Sequence, residues 1–340
     1  MSDTLSPAAA AVNTTSTPRW KETQRLSAFG PLLALIALVV IGALLSDSFL
    51  SAGNLSNVLT RSAIVGIIAI GATYVITAGG LDLSVGSMSA LIAGLAIMAM
   101  NGLAASFGSD WSTVAIGVVL ALGMGLAAGL LNGGLIVKGG IDAFIVTLGT
   151  MGIFRSVITW LSDGGSISLD AGLKTVARPL YYGSIAGVSI PIIILIVLAV
   201  AAELVLRRAR LGRHITAIGS NPEVARYSAI RVQRVRIFTY VFQGLCVALA
   251  TMIYVPRLGA ATPSTGLLWE LEAIAAVIIG GTALKGGFGR IWGSIVGVLI
   301  LGLIGNILNL TALASPYLNG AFQGVIIIIA VYLQKGRREG

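Results

Sequence analysis

Long apolar segments recur along the whole of this 340-residue chain, separated by short polar connections. A run of about 17 or more apolar residues covers the hydrocarbon thickness of a bilayer as a helix. The recurrence therefore predicts an all-α, polytopic integral membrane protein. The segments fall at 29–45, 62–77, 85–100, 114–137, 144–161, 188–206, 237–255, 271–284, 291–310 and 318–333. That makes about ten transmembrane helices, with the shorter segments open to being broken helices. The first could pass for a signal peptide, but it is long for that role, and no small-residue cleavage site follows it. An uncleaved first span is expected.

Composition narrows the reading. Hydrophobic residues make up 56% of the chain and charged ones 10%, so there is no soluble core to form. The 44 glycines would break helices in water, but in lipid they let helix backbones approach. The run Gly125-xxx-Gly129-xxx-Gly133 gives one span a smooth strip and is read as a packing surface. Residues 1–28 are rich in Ser, Thr, Pro and Ala and are expected to form a disordered tail, with a permease domain at 29–334 and a second short tail at 335–340.

The net charge of +9 does not point to nucleic acid, because no polar stretch is long enough to carry a basic patch. Topology explains it better. With ten spans and a cytoplasmic N-terminus, seventeen of the 22 Lys and Arg fall on the cytoplasmic side. Only Arg61, Lys174, Arg178 and Arg257 fall outside, and Arg155 lies within a span, where it must find a partner or water. Both termini are then cytoplasmic.

Two connections could carry chemistry. The first, 207–236, holds eight arginines. Within it, Ser220 or Asn221 can cap a helix, Pro222 suits its first turn, and Glu223 complements the positive end of the dipole. A short helix through Ala225, Arg226 and Tyr227 is expected. Two readings stand here: a basic loop that fixes topology and touches anionic lipid, or a docking element. The second connection is Gly79-Gly80-Leu81-Asp82-Leu83-Ser84, where glycines permit a tight turn and Asp82 or Ser84 can cap the next helix. Asp82 is either such a cap or part of a substrate path or hinge. The spacing Gly79-Gly80, five residues, Gly86-Ser87 is echoed at Gly286-Gly287 and Gly293-Ser294, as in transporters built from repeats.

Catalytic equipment is not evident. One histidine, His214, and one cysteine, Cys246, lie in separate segments and make neither a metal site nor a nucleophile pair. Gly280 to Lys285 lacks the spacing of a phosphate-binding loop.

Four stretches in order resemble the permease subunits of bacterial sugar ABC importers of the ribose, xylose and galactose class. They are 49–59, FLSAGNLSNVL; 79–87, GGLDLSVGS; 208–230, RARLGRHITAIGSNPEVARYSAI; and 270–297, ELEAIAAVIIGGTALKGGFGRIWGSIVG. The resemblance covers nearly all the chain outside the tails. It implies the permease fold of such importers in a bacterial inner membrane, a homodimeric pore, a separate cytoplasmic ATP-binding subunit that uses the ATP, and an extracellular or periplasmic sugar-binding protein. No cofactor is then bound by this chain. The resemblance makes 207–236 a coupling loop, with Ser220, Asn221, Pro222, Glu223, Ala225, Arg226 and Tyr227 against the ATPase. It places Gly79, Gly80, Asp82, Ser84 and Glu272 in gating or the translocation path. Glu272 stands where the family pattern commonly carries Asp. The competing reading is a secondary transporter of a small polar solute driven by an ion gradient.

Overall fold

The computed structural model describes the backbone at residues 19–311 and at positions 318, 320, 321, 324, 325 and 328, with side-chain environments from residue 30 onward. The described residues are mostly helical. The order is α1 (Arg19–Leu45), α2 (Ala52–Thr77), α3 (Val85–Phe107), α4 (Trp111–Val137), α5 (Ala143–Leu161), β1 (Ile167–Ser168), α6 (Ala171–Ala177), α7 (Pro179–Tyr182), β2 (Ser184–Ile185) and β3 (Val188–Ser189). It continues with α8 (Ile190–Arg208), α9 (Arg210–Ser220), α10 (Pro222–Tyr227), α11 (Val232–Leu258), β4 (Ala260–Ala261), α12 (Trp269–Ile279) and α13 (Ile291–Thr311).

Among the described residues, seven helices are long and apolar enough to cross a membrane: α2, α3, α4, α5, α8, α11 and α13. Two more apolar segments are shorter. The apolar part of α1 covers Gly30–Leu45, and α12 has 11 residues. Nine of the ten expected segments therefore lie on helices, and 318–333 lies largely outside the described residues.

Large side chains such as Val119 on α4, Ile145 and Ile153 on α5 and Val197 on α8 are more than half exposed. Faces this apolar call for lipid, not water, as their solvent. The centre is built from α2 and α11, which bury most of their length. The strip Gly125, Gly129 and Gly133 lets α4 meet α11 backbone to backbone: a Cβ on Gly129 would stand 2.4 Å from the Tyr240 carbonyl oxygen. The packing expected of that strip is what the structure contains. Hydroxyl pairs tie other helices, Thr73 to Ser294 at 2.7 Å and Ser89 to Thr251 at 2.8 Å.

Five helix starts, those of α2, α4, α5, α6 and α10, carry a side-chain cap. Asp110 accepts the Thr113 amide at 3.1 Å, and the Ser112 hydroxyl and that amide hold its carboxyl below the usual carboxylate range. Asp142 caps α5 through the Phe144 amide at 2.8 Å.

One expectation is corrected. Residues 19–28, expected as part of a disordered tail, form the start of α1, which runs on through Gly30 and Pro31; residues 1–18 lie outside the described residues. The connection between α5 and α8 is structured. It folds into α6, α7, the β1–β4 pairing and a two-residue hairpin turn at Ala186-Gly187, both with positive φ as that turn type requires.

Candidate functional site

The first half of the 207–236 connection is a helix that the sequence pattern did not reveal. In α9, Gly212, Ile215 and Ile218 are buried, while Arg210 and Arg213 face out, so it is amphipathic. Ser220 is its last residue, donating its hydroxyl to the Thr216 carbonyl at 2.9 Å, and is not the cap of the next helix. That cap is Asn221, whose Oδ1 accepts the Glu223 and Val224 amides at 3.0 and 3.1 Å, with Pro222 in the first turn. In α10, Ala225 alone turns inward. Glu223 and Arg226 form a loose surface pair at 3.7 Å, and Val224 and Tyr227 are exposed, Tyr227 at 87%. A protruding helix end that shows an aliphatic and an aromatic side chain beside charges has the make-up of a docking knob.

The end of α9 is wedged into the membrane helices. A Cβ on Gly219 would lie 1.8 Å from the Thr77 carbonyl oxygen and 2.4 Å from the Gly287 nitrogen. One on Gly286 would lie 2.9 Å from the Gly79 Cα. Gly287 donates its amide to the Thr77 carbonyl at 2.9 Å. Gly79, Gly286 and Gly287 all have φ near +80°, where glycine has no Cβ penalty. The two echoed Gly-Gly pairs therefore meet, with Gly219 between them. Their Gly-Ser partners also correspond: Gly86-Ser87 opens α3 and Gly293-Ser294 opens α13.

Asp82 is buried. Its Oδ1 accepts the Ser84 amide at 2.9 Å and the Ser84 hydroxyl at 2.6 Å, and the Asn132 amide donates to that hydroxyl at 2.9 Å. This is a local turn before α3, tied to α4. Gly80 is held by Tyr240, whose hydroxyl donates to the Leu81 carbonyl at 3.1 Å and would be 2.6 Å from a Cβ there. Gly79, Gly80 and Arg226 line one cleft of about 510 Å³, together with Asp142, Arg236 and Tyr240. The loop helix and the Gly-Gly segment thus share a surface.

Glu272 is not with them. It lines a second cleft, of about 430 Å³, at the opposite end of α2, with Asn54, Arg61, Arg257, Trp269 and Asn306. Sequence reasoning had counted Arg61 and Arg257 only as topological charges. Asn54 and Asn306 exchange amide hydrogen bonds of 2.7 and 3.0 Å across 252 positions of sequence, which no local pattern signals. Arg155, the one arginine inside a predicted span, donates to the carbonyls of Pro263 and Thr265 and so anchors the segment before α12. Its neighbour Glu270 is buried against Gly86.

Comparison with known proteins adds to this geometry. The family model described as branched-chain amino acid transport system / permease component matches residues 54–331. The ribose import permease protein RbsC of Bacillus subtilis (strain 168) is 38% identical over 313 residues, covering 90% of this chain and 92% of its own. The D-allose transport system permease protein AlsC of Escherichia coli (strain K12) is 35% identical over 305 residues, 88% and 89% of the two chains. The xylose transport system permease protein XylH of the same strain is 30% identical over 373 aligned residues, 92% and 93%.

Proposed function

The chain belongs to the family of branched-chain amino acid transport system permease components, and on that premise we propose that it is the pore subunit of a binding-protein-dependent ABC importer for a monosaccharide or related polyol. The observation that carries the substrate class is the identity of 38%, over nine tenths of the chain, to a ribose import permease. The subunit is a permease and not an enzyme; ATP is hydrolysed by a separate cytoplasmic subunit, and a soluble binding protein delivers the sugar on the other side. Two copies form the pore in a bacterial inner membrane, with both termini cytoplasmic.

In this reading α10 is the coupling helix. Its exposed Val224 and Tyr227 and the charges of Glu223 and Arg226 support that role, with Asn221 and Pro222 fixing where the helix begins and Ala225 seating it on the body. Ser220, at the end of α9, sits beside Gly287 and links the knob to the glycine junction. Closure of the ATPase moves α10, and α9 passes the motion to Thr77, Gly79 and Gly80 on one side and to Gly286 and Gly287 on the other. Asp82 and Ser84 keep the start of α3 attached to that junction. A partner shifts such an equilibrium only by binding its two states unequally.

Tyr227→Ala tests the role of α10. Loss of a central aromatic anchor costs about 2 kcal/mol, and affinity for the ATPase subunit should fall roughly 30-fold. Co-purification with that subunit reads the loss, and the elution profile of the variant chain should match wild type. Undiminished co-purification would remove α10 from the interface.

A further inference from the structure

Given that reading, the cleft at the far end of α2 faces the outside, and we propose that it is where the permease itself holds its cargo, a neutral monosaccharide. The inference rests on the proposed importer role, but nothing in that role requires the pore subunit to touch sugar. Its chemistry is mixed in the way a polyol demands. Trp269 packs edge-to-face on Tyr254 at 5.0 Å and presents a fixed, flat apolar surface with a polar N–H. Arg257 stands 5.5 Å over the Tyr254 ring and 5.7 Å over Tyr181, which fixes its guanidinium without consuming its donors. Asn57, Asn306 and Asn309 add carboxamides to the same wall, which Glu272 also lines.

The carboxamide pair is incompletely spent. Asn54 uses both amide hydrogens, on the Phe49 carbonyl at 2.8 Å and on Asn306, while among the described residues Asn306 donates only to Asn54. The Ser62 hydroxyl, on a residue lining the cleft, is buried without a hydrogen-bond partner. Amide and guanidinium groups beside an aromatic plate suit the hydroxyls and C–H face of a small sugar ring. The volume of about 430 Å³ lies within the range of small-molecule sites. Val58, Ile64 and Leu301 line part of the same wall, so the competing occupant is an apolar amino acid, which the following test separates from a sugar.

The chain offers a clean test, because its single cysteine, Cys246, is buried in α11. Asn57→Cys and Asn309→Cys, both exposed on the cleft, each introduce one accessible thiol, and Ser184→Cys in the nearby hairpin supplies a control. The full-length variants are reconstituted in lipid and treated with a membrane-impermeant methanethiosulfonate, with D-ribose, D-xylose, D-allose or L-leucine present. At about twice the dissociation constant, one of the sugars should slow labelling in the cleft roughly threefold. Leucine should not, and Ser184→Cys should label at one rate throughout. Equal protection by leucine, or protection of the control, would overturn the proposal. So would an absence of protection at both cleft positions. If vesicles that also hold the ATPase and binding protein still import sugar under ATP, such failure sinks the site alone; if they import nothing, it takes the importer role with it.

Discussion

Gly129→Leu should prevent the helices from assembling. The Cβ of any residue there would lie 2.4 Å from the Tyr240 carbonyl oxygen and 2.6 Å from the Val241 Cα, backbone atoms that no side-chain rotamer can clear. The same seam is closed one turn away from both sides: a Cβ on Gly125 would meet the Gly244 oxygen at 2.3 Å, and one on Gly244 the Gly125 oxygen at 2.0 Å. Nor can α11 retreat, because it is also packed against α2 and α3. Overpacking of a tight core costs about 1–3 kcal/mol even for small insertions, and a whole leucine at a backbone contact should exceed that. In mild detergent the variant should elute as aggregate. Gly123→Leu is the comparison, on the same helix but exposed with nothing within 4 Å of a Cβ, and it should elute as wild type. Matching elution of the two variants would show that α4 and α11 do not meet at this seam.

Gly219→Ala should produce a different failure, in which the chain folds and docks but does not transport. One methyl at 1.8 Å from the Thr77 oxygen forces the end of α9 off the α2 terminus and off Gly287. The exposed face of α10 lies beyond this contact and keeps its capping by Asn221. The ATPase should still co-purify, while ATP-driven uptake falls at least about tenfold, a coupling loss of about 1.4 kcal/mol or more. Gly102→Ala, the same change on an exposed position of α3 with nothing within 4 Å of a Cβ, should transport normally. Wild-type uptake by Gly219→Ala would mean that force does not pass through the glycine junction.

Local patterns in the sequence made much of this legible. Apolar run length located nine helices, the Asn221-Pro222-Glu223 signature located α10, and glycines at every fourth position marked the α4–α11 seam. Each of those signals lies within one element. The Gly-Gly echo was visible, but not that its two copies touch, since Gly79 and Gly286 meet only after ten intervening helices have packed. The same limit hid the far cleft: Asn54 and Asn306 are unremarkable singly, and Arg61 and Arg257 carry charges that the positive-inside rule had already absorbed. The α9 helix escaped because its arginines and two glycines mask a three-residue apolar stripe of Gly212, Ile215 and Ile218. Glu272, grouped in the sequence with the Gly-Gly segment, proved to belong to the other end of the molecule.

The central claim, a pore driven from outside itself by ATP, is tested most directly by uptake into proteoliposomes. Full-length chain is reconstituted with its ATPase subunit and binding protein, and labelled D-ribose, D-xylose and D-allose are offered with and without ATP. Uptake of at least one sugar that requires ATP and both partners is the predicted result. Uptake by the chain alone, driven by a proton or sodium gradient and indifferent to ATP, would contradict the account and make the protein a secondary transporter.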